Sequence, residues 1–236
     1  MATDAWPERR RWQLAVGGVL ATLVVANVMS NRVLPSWAYV PWSLAVAVAI
    51  VAIARRCVSL QLMGFTEWRR GAWWGGVLFV LTAGVLLLGL AMPVFNEMYN
   101  DRRVTGGTWT WIYQAFLRIP FGTAVLEETA FRAVLPALFA LRWGVLRGCI
   151  AASACFGFWH VLPSLGLTEV NPAATRIFGS GAAGVLAAVV FAVVGTGVAG
   201  LWWCWIRYRS RSILATIIAH VGSNSVAYTI AWFVTR

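Results

Sequence analysis

Five ionisable side chains remain inside apolar stretches of the sequence once the connections between those stretches are set aside. They are Glu127, Glu128, Arg132, His160 and His220, and the two histidines are the only ones in the chain. An ionised group at the centre of a bilayer costs about 2.5 to 3.5 kcal/mol on insertion scales. Groups that bear this cost usually face a bundle interior or a cavity and have a partner there. The five residues therefore mark a candidate catalytic site.

Helical spacing divides the acidic groups into two kinds. Glu128 and Arg132 are four residues apart, so they lie on one face of a helix and can pair. Glu127 is rotated by about 100° from Glu128 and is free to face another group. A carboxylate without a cationic partner in an apolar site is a candidate general base that activates water.

The two histidines each have a neighbour one helical turn away. Phe156 precedes His160 in "FGFWH", and Asn224 follows His220 in "HVGSN". His220 and Asn224 can donate hydrogen bonds to a common point, which is what the oxyanion of an attacked peptide carbonyl requires. Together with Glu127, the set offers a base, a second group that orients water and an oxyanion site, on three separate helices.

The elements that position these groups are membrane helices. The chain is 60% hydrophobic with a mean hydropathy of +0.74, and only 11% of its residues are charged, which indicates an all-α, polytopic integral membrane bundle. A length of 236 residues allows roughly seven helices of about 20 residues. We predict spans at about 14–29, 37–54, 72–92, 121–141, 145–162, 182–208 and 213–233. Residues 108–118 are either an interfacial helix or the beginning of the fourth span.

The net charge of +11 is carried by arginine alone and falls between the apolar runs. A nucleic-acid-binding protein would instead concentrate such charge on one soluble face. This distribution is typical of topology signals and of contacts with anionic lipids, and it predicts a cell-membrane protein with a cytoplasmic N-terminus. The clusters are Arg9, Arg10 and Arg11; Arg55, Arg56, Arg69 and Arg70; Arg142 and Arg147; and Arg207, Arg209 and Arg211.

Three motifs in this order on separate apolar helices resemble the CPBP family. That family comprises the CAAX prenyl endopeptidases of the Rce type and the bacterial Abi and bacteriocin-processing or immunity relatives. The resemblance covers roughly residues 108–232, so we divide the chain into N-terminal helices without a recognisable motif, 1–107, and a catalytic bundle, 108–236. One departure is Ala133, where many relatives have glycine. The motifs are E-E-x-x-x-R at Glu127, Glu128 and Arg132, F-x-x-x-H at Phe156 and His160, and H-x-x-x-N at His220 and Asn224.

The resemblance implies an intramembrane glutamic endopeptidase without an obligatory metal. Its substrate would be membrane-associated, either a prenylated protein or a leader peptide. By motif position, Glu127 is expected to be the general base and His160 to help hold the water. His220 and Asn224 are expected to form the oxyanion site. The supporting residues would be Glu128, Arg132 and Phe156.

Other functions use the same residue types. Glu127, His160 and His220 could ligate zinc, although the H-E-x-x-H pattern is absent. The buried groups could form a proton relay in a small transporter, for which an inverted repeat would be expected. A third hypothesis is a scaffold or immunity protein that keeps the fold without catalysis. The complete motif set favours the protease, with no cofactor and with membrane lipids and a peptide or lipidated protein as partners.

One geometrical condition must hold for this site to form. With the N-terminus inside, Glu127 and His160 lie toward the outer halves of their spans, whereas His220 and Asn224 reach only the middle of theirs. We therefore expect shifted helix ends, a tilted fourth span, or a topology opposite to the one predicted from the arginines.

Overall fold

A computed structural model of the protein describes residues 5–236, and this range is helical with no strand. Three π-helical segments, Met29–Val33, Gln114–Ala124 and Thr129–Val134, continue or connect the α-helices. The predicted all-α bundle is confirmed. The helices are α1 (Ala5–Val28), α2 (Tyr39–Ala54), α3 (Leu60–Met63), α4 (Trp68–Gly89), α5 (Pro93–Met98), α6 (Thr108–Tyr113), α7 (Val125–Glu128), α8 (Leu135–Trp159), α9 (Val161–Ser164), α10 (Leu167–Val170), α11 (Pro172–Phe178), α12 (Ala182–Ser210) and α13 (Ile213–Val234).

Within residues 5–236, six helical stretches are long and apolar enough to cross a membrane. One of them, Thr108–Ser164, has 57 residues, which at 1.5 Å per residue is far longer than a single crossing of about 30 Å. It folds back on itself, so the six stretches correspond to the seven predicted spans. The stretches are Glu8–Val33, Ser36–Ala54, Leu60–Gly89, Thr108–Ser164, Ala182–Ser210 and Ile213–Val234.

The reversal occurs at Gly144 inside α8. Its backbone has φ 76° and ψ 166°, and a positive φ is readily adopted only by glycine. The helical segment before Gly144 then runs antiparallel to the part of α8 that follows it. The Phe131 ring on the first arm and the Phe156 ring on the second have centres 5.2 Å apart. This helical hairpin brings the E-E-x-x-x-R motif beside the F-x-x-x-H motif.

The first arm of the hairpin is one continuous helix from Thr108 to Trp143. Its segments α6, Gln114–Ala124, α7 and Thr129–Val134 follow each other with right-handed helical backbone at every junction. Residues 108–118 therefore belong to the fourth span, as one of the two alternatives predicted. Pro120, which has no N–H to donate, lies within a π-helical segment.

The four arginine clusters meet at one end of the bundle. The Arg142 guanidinium lies 6.0 Å from the Trp12 ring, and Arg11, Arg56 and Arg142 line one cavity. Arg70 Nη2 donates to the carbonyl of Arg209 at 2.7 Å. We call this the arginine-rich end. That it faces the cytoplasm stays a prediction.

The core that supports the hairpin is formed by α1, α2 and the residues after the two glutamates. Val19, Ile50, Val134 and Leu138 are fully buried in it. On the other side, α13 packs lengthwise against α4 and also against the segment Gln114–Ala124. This places α13 and its H-x-x-x-N motif beside the hairpin.

Candidate active site

The two adjacent glutamates lie on α7, the four-residue α-helical turn between two π-helical segments. Glu128 is 0% exposed and Glu127 is 7% exposed. Short π-helical segments are frequent at functional sites. Here they flank the two carboxylates and set the faces on which these emerge.

Glu128 binds His220 directly. The distance between Glu128 Oε1 and His220 Nδ1 is 2.7 Å, and because a carboxylate only accepts, the ring donates from Nδ1. Buried carboxylate partners of this kind fix the tautomer and orientation of an imidazole. The other ring nitrogen, Nε2, is thereby directed away from Glu128.

Asn224 contacts the free side of the same ring. Its Nδ2 lies 2.9 Å from His220 Nε2, and its Oδ1 accepts from Ser223 Oγ at 3.1 Å. Because His220 donates to Glu128 from Nδ1, its Nε2 is an acceptor in the neutral ring, and the amide therefore presents its N–H₂ group to the imidazole. The one-turn pair predicted from the sequence is thus formed, with the amide donor next to Nε2.

Glu127 lies between two nitrogen atoms from different helices. Its Oε1 accepts from Trp159 Nε1 at 3.0 Å, and its Oε2 is 3.9 Å from His220 Nε2. At this longer separation the two atoms form no direct hydrogen bond, although one water molecule lying beside the line between them could contact both. Glu127 therefore has one oxygen held by Trp159 and one oxygen without a direct hydrogen bond to the residues that the structure describes.

Trp159 is the residue of this site that the sequence analysis missed. It lies inside the F-x-x-x-H motif, directly before His160, and is largely buried. A buried indole has one N–H and needs an acceptor for it. That requirement is a usable signal, since an apolar helix offers few side-chain acceptors other than the two glutamates.

Arg132 pairs with Glu128 as its spacing predicted. The Nε and Oε2 atoms are 3.4 Å apart, and both side chains are essentially inaccessible to solvent. The guanidinium also lies 3.9 Å from the centre of the Phe156 ring, a cation–π contact. Phe156 therefore covers the ion pair, and the positive charge balances the Glu128 carboxylate where water cannot.

His160 occupies a different place from the other motif residues. It directly follows the last residue of α8 and caps that helix. Its Nδ1 donates to the Phe156 carbonyl at 2.8 Å, which leaves Nε2 as an acceptor in the neutral ring. Within residues 5–236, no hydrogen bond or ion pair joins His160 to Glu127. The structure brings Glu127, Glu128, Arg132, Phe156, His220 and Asn224 into one cluster, and His160 follows Trp159 at its edge.

The predicted mismatch in depth does not keep the groups apart. The helix from Thr108 to Trp143 has about 36 residues and a length of about 54 Å, which exceeds the hydrocarbon thickness of a bilayer. His220 lies in the second turn of α13 and still contacts Glu128. That the fourth span tilts in a membrane stays a prediction.

Several polar side chains lie beyond Glu127 on the side away from the arginine-rich end. One turn before Glu127, Thr123 Oγ1 lies 3.3 Å from Tyr39 Oη. The Arg118 guanidinium stands 4.1 Å from the centre of the Tyr39 ring. These side chains give Glu127 polar surroundings in the direction of the segment Gln114–Ala124.

The predicted zinc alternative requires three ligands in one place. Among residues 5–236, no group of three or more His, Cys, Asp or Glu side chains is arranged to hold a metal ion. Of the three predicted zinc ligands, His160 bonds to its own helix through Nδ1.

Comparison with known proteins gives one match. The family model described as type II CAAX prenyl endopeptidase, Rce1-like, matches residues 108–226, which is half of the chain. This range includes all seven motif residues and Trp159. No curated protein and no solved structure matches the chain.

Proposed function

Since the chain belongs to the Rce1-like family of type II CAAX prenyl endopeptidases, we propose that it is an intramembrane endopeptidase in which Glu127 activates the attacking water. Family membership by itself supports a membrane-embedded hydrolase of the protease kind. The proposed role of Glu127 as the base is supported by its position between two nitrogen atoms. Its Oε1 lies 3.0 Å from Trp159 Nε1, and its Oε2 lies 3.9 Å from His220 Nε2.

In the proposed reaction, Glu127 takes a proton from the water while the water oxygen attacks the scissile carbonyl. The donor Trp159 holds one carboxylate oxygen, so the other is directed at the water. His160 Nε2 is proposed as a second acceptor that orients the same water. When the tetrahedral intermediate collapses, the C–N bond breaks and Glu127 passes its proton to the leaving amine.

Asn224 and His220 are proposed to stabilise the oxyanion. Asn224 Nδ2 donates to His220 Nε2 in the free protein, and the same N–H₂ group has a second hydrogen for a substrate oxygen. His220 can donate from Nε2 only when both ring nitrogens carry protons, a state that the adjacent Glu128 carboxylate stabilises electrostatically. Glu128 and Arg132 would thus act by holding His220 and its charge.

The proposed substrate is a peptide of a membrane-associated protein, either prenylated or a leader peptide. The bundle would reside in the cell membrane with its N-terminus in the cytoplasm, and the reaction would need no cofactor. Two other functions remain outcomes of the experiment: a scaffold or immunity protein would hydrolyse no peptide, and a transporter would move protons through the same groups.

The decisive variant is Glu127→Gln, which keeps the shape and the acceptor for Trp159 but removes the base. We expect a loss of about 10²- to 10⁴-fold in kcat for hydrolysis of a quenched-fluorescence lipopeptide by purified protein. The matched control is Glu169→Gln, because Glu169 is exposed on α10 outside the cluster. Retained activity in Glu127→Gln would overturn the assignment. If the wild-type protein moves protons into liposomes and Glu127→Gln does not, transport would be favoured.

A further inference from the structure

A cavity of about 430 Å³ opens at the arginine-rich end, and no residue of the glutamate cluster around Glu127 and Glu128 lines it. It lies between α3, the beginning of α4, the hairpin turn and the last turn of α12. One wall is apolar and contains Ala137, Leu141 and Val145. Its polar lining residues are Gln61, Thr66, Glu67, Arg207, Tyr208 and Arg211.

Arg207 is the buried cation of this cavity. It is only 4% exposed, its Nη2 donates to the Leu62 carbonyl, and its buried Nε has no hydrogen-bond partner. No carboxylate pairs with Arg207 in the part of the chain that the structure describes. A buried charge without a counter-ion is costly, and contact with the Tyr208 ring at 4.3 Å compensates only part of it.

Two backbone conformations shape the cavity around its arginines. Gly64 has φ +86°, and a Cβ there would lie 3.0 Å from Arg207 Nε and 3.1 Å from its Nη2. Arg211 has φ 57°, the only positive φ of a non-glycine residue in the described chain. Arg211 ends α12 in this left-handed conformation, which is unfavourable for an ordinary residue and recurs at ligand sites. Here it brings a second guanidinium to the rim.

The charge of the cavity selects the ligand. Arg207 and Arg211 contribute two positive charges and Glu67 one negative charge, so a single negative charge would neutralise the site. Guanidinium groups recognise phosphate oxygens by paired hydrogen bonds. The apolar wall would lie against the hydrocarbon attached to such a phosphate.

We propose that this cavity binds a ligand of net charge −1 that carries a phosphate group, through Arg207 and Arg211. Two sources share this chemistry, the headgroup of an anionic phospholipid and a free phosphate. The apolar wall and the position at the arginine-rich end favour the phospholipid. The proposal is independent of peptide hydrolysis, because no residue of the glutamate cluster lines this cavity.

The test measures binding to the full chain purified in a neutral detergent, by thermal unfolding and by native mass spectrometry. Phosphatidylglycerol, phosphatidylcholine and inorganic phosphate are titrated separately. We expect a saturable rise of the unfolding midpoint with phosphatidylglycerol and a weaker one with phosphatidylcholine, whose headgroup is neutral overall. Arg211→Gln should weaken phosphatidylglycerol binding by about tenfold or more, since it removes a charge-assisted contact.

The matched control is Arg209→Gln, which removes the same charge two residues earlier on α12. Arg209 is exposed and does not line the cavity, so this variant should bind like the wild type. Arg211 is preferred over Arg207 because Arg207 also ties α12 to the Leu62 carbonyl. Equal weakening in both variants would mean general charge attraction and would overturn the proposal, as would equal binding of the two lipids. Inorganic phosphate that binds as tightly as phosphatidylglycerol would support the site with free phosphate as its ligand.

Discussion

The hydrogen bond from Trp159 to Glu127 yields a sharp prediction about the proposed mechanism. Trp159→Phe removes the indole N–H that Glu127 Oε1 accepts at 3.0 Å. The Phe ring can still pack against Phe131, whose ring centre lies 5.6 Å from that of Trp159. The substitution therefore removes a positioning interaction and keeps most of the apolar contact.

The magnitude follows from the kind of hydrogen bond. A hydrogen bond to a charged group contributes about 1.5 to 3 kcal/mol, which corresponds to about 10- to 150-fold in a rate or equilibrium constant. Because this bond holds the proposed base and does not touch the substrate, the loss should appear in kcat, with KM nearly unchanged. The assay is steady-state hydrolysis of a lipopeptide by purified protein, with thermal unfolding recorded on the same sample.

A suitable control is Trp111→Phe. The Trp111 indole donates to Thr229 Oγ1 at 3.1 Å, so this variant loses an indole hydrogen bond of similar length that does not involve the glutamate cluster. We expect Trp111→Phe to keep kcat. If Trp159→Phe is folded and has wild-type kcat, or if both variants lose activity in proportion to stability, Trp159 does not position the base.

Two further predictions concern the oxyanion site and the metal alternative. Asn224→Leu keeps the approximate size of the side chain and removes its donor, so kcat should fall about 10²- to 10³-fold; wild-type kcat in this variant would exclude Asn224 from that role. Incubation with EDTA followed by desalting should leave the hydrolysis rate unchanged, and inhibition that added zinc reverses would favour metal-assisted hydrolysis.

The sequence predicts the features of this protein that depend on local spacing. The Glu128–Arg132 and His220–Asn224 pairs are each one helical turn apart, and both pairs are in contact in the structure. The hairpin turn falls between the predicted fourth and fifth spans, since Gly144 separates two apolar runs. These features could be predicted because helical geometry fixes them within a few residues.

Contacts between helices could not be predicted in the same way. The contacts of His220 with Glu128 and of Trp159 with Glu127 join residues more than 30 positions apart. Both depend on the π-helical segments around α7 and on the register of the hairpin. Hydropathy constrains neither of these features.

The different surroundings of two neighbouring glutamates are the strongest physical argument for their separate roles. Glu128 is fully enclosed, with Arg132 beside one oxygen and His220 Nδ1 beside the other, so its charge is matched by a buried cation and an imidazole. Glu127 has a neutral donor on one oxygen, and its other oxygen forms no direct hydrogen bond with the residues that the structure describes. A base must reach the reacting water, and of the two carboxylates Glu127 is 7% exposed whereas Glu128 is 0% exposed. The same reasoning makes Glu128 the residue that orients His220, because a carboxylate already committed to a cation and an imidazole gains nothing by taking a proton from water.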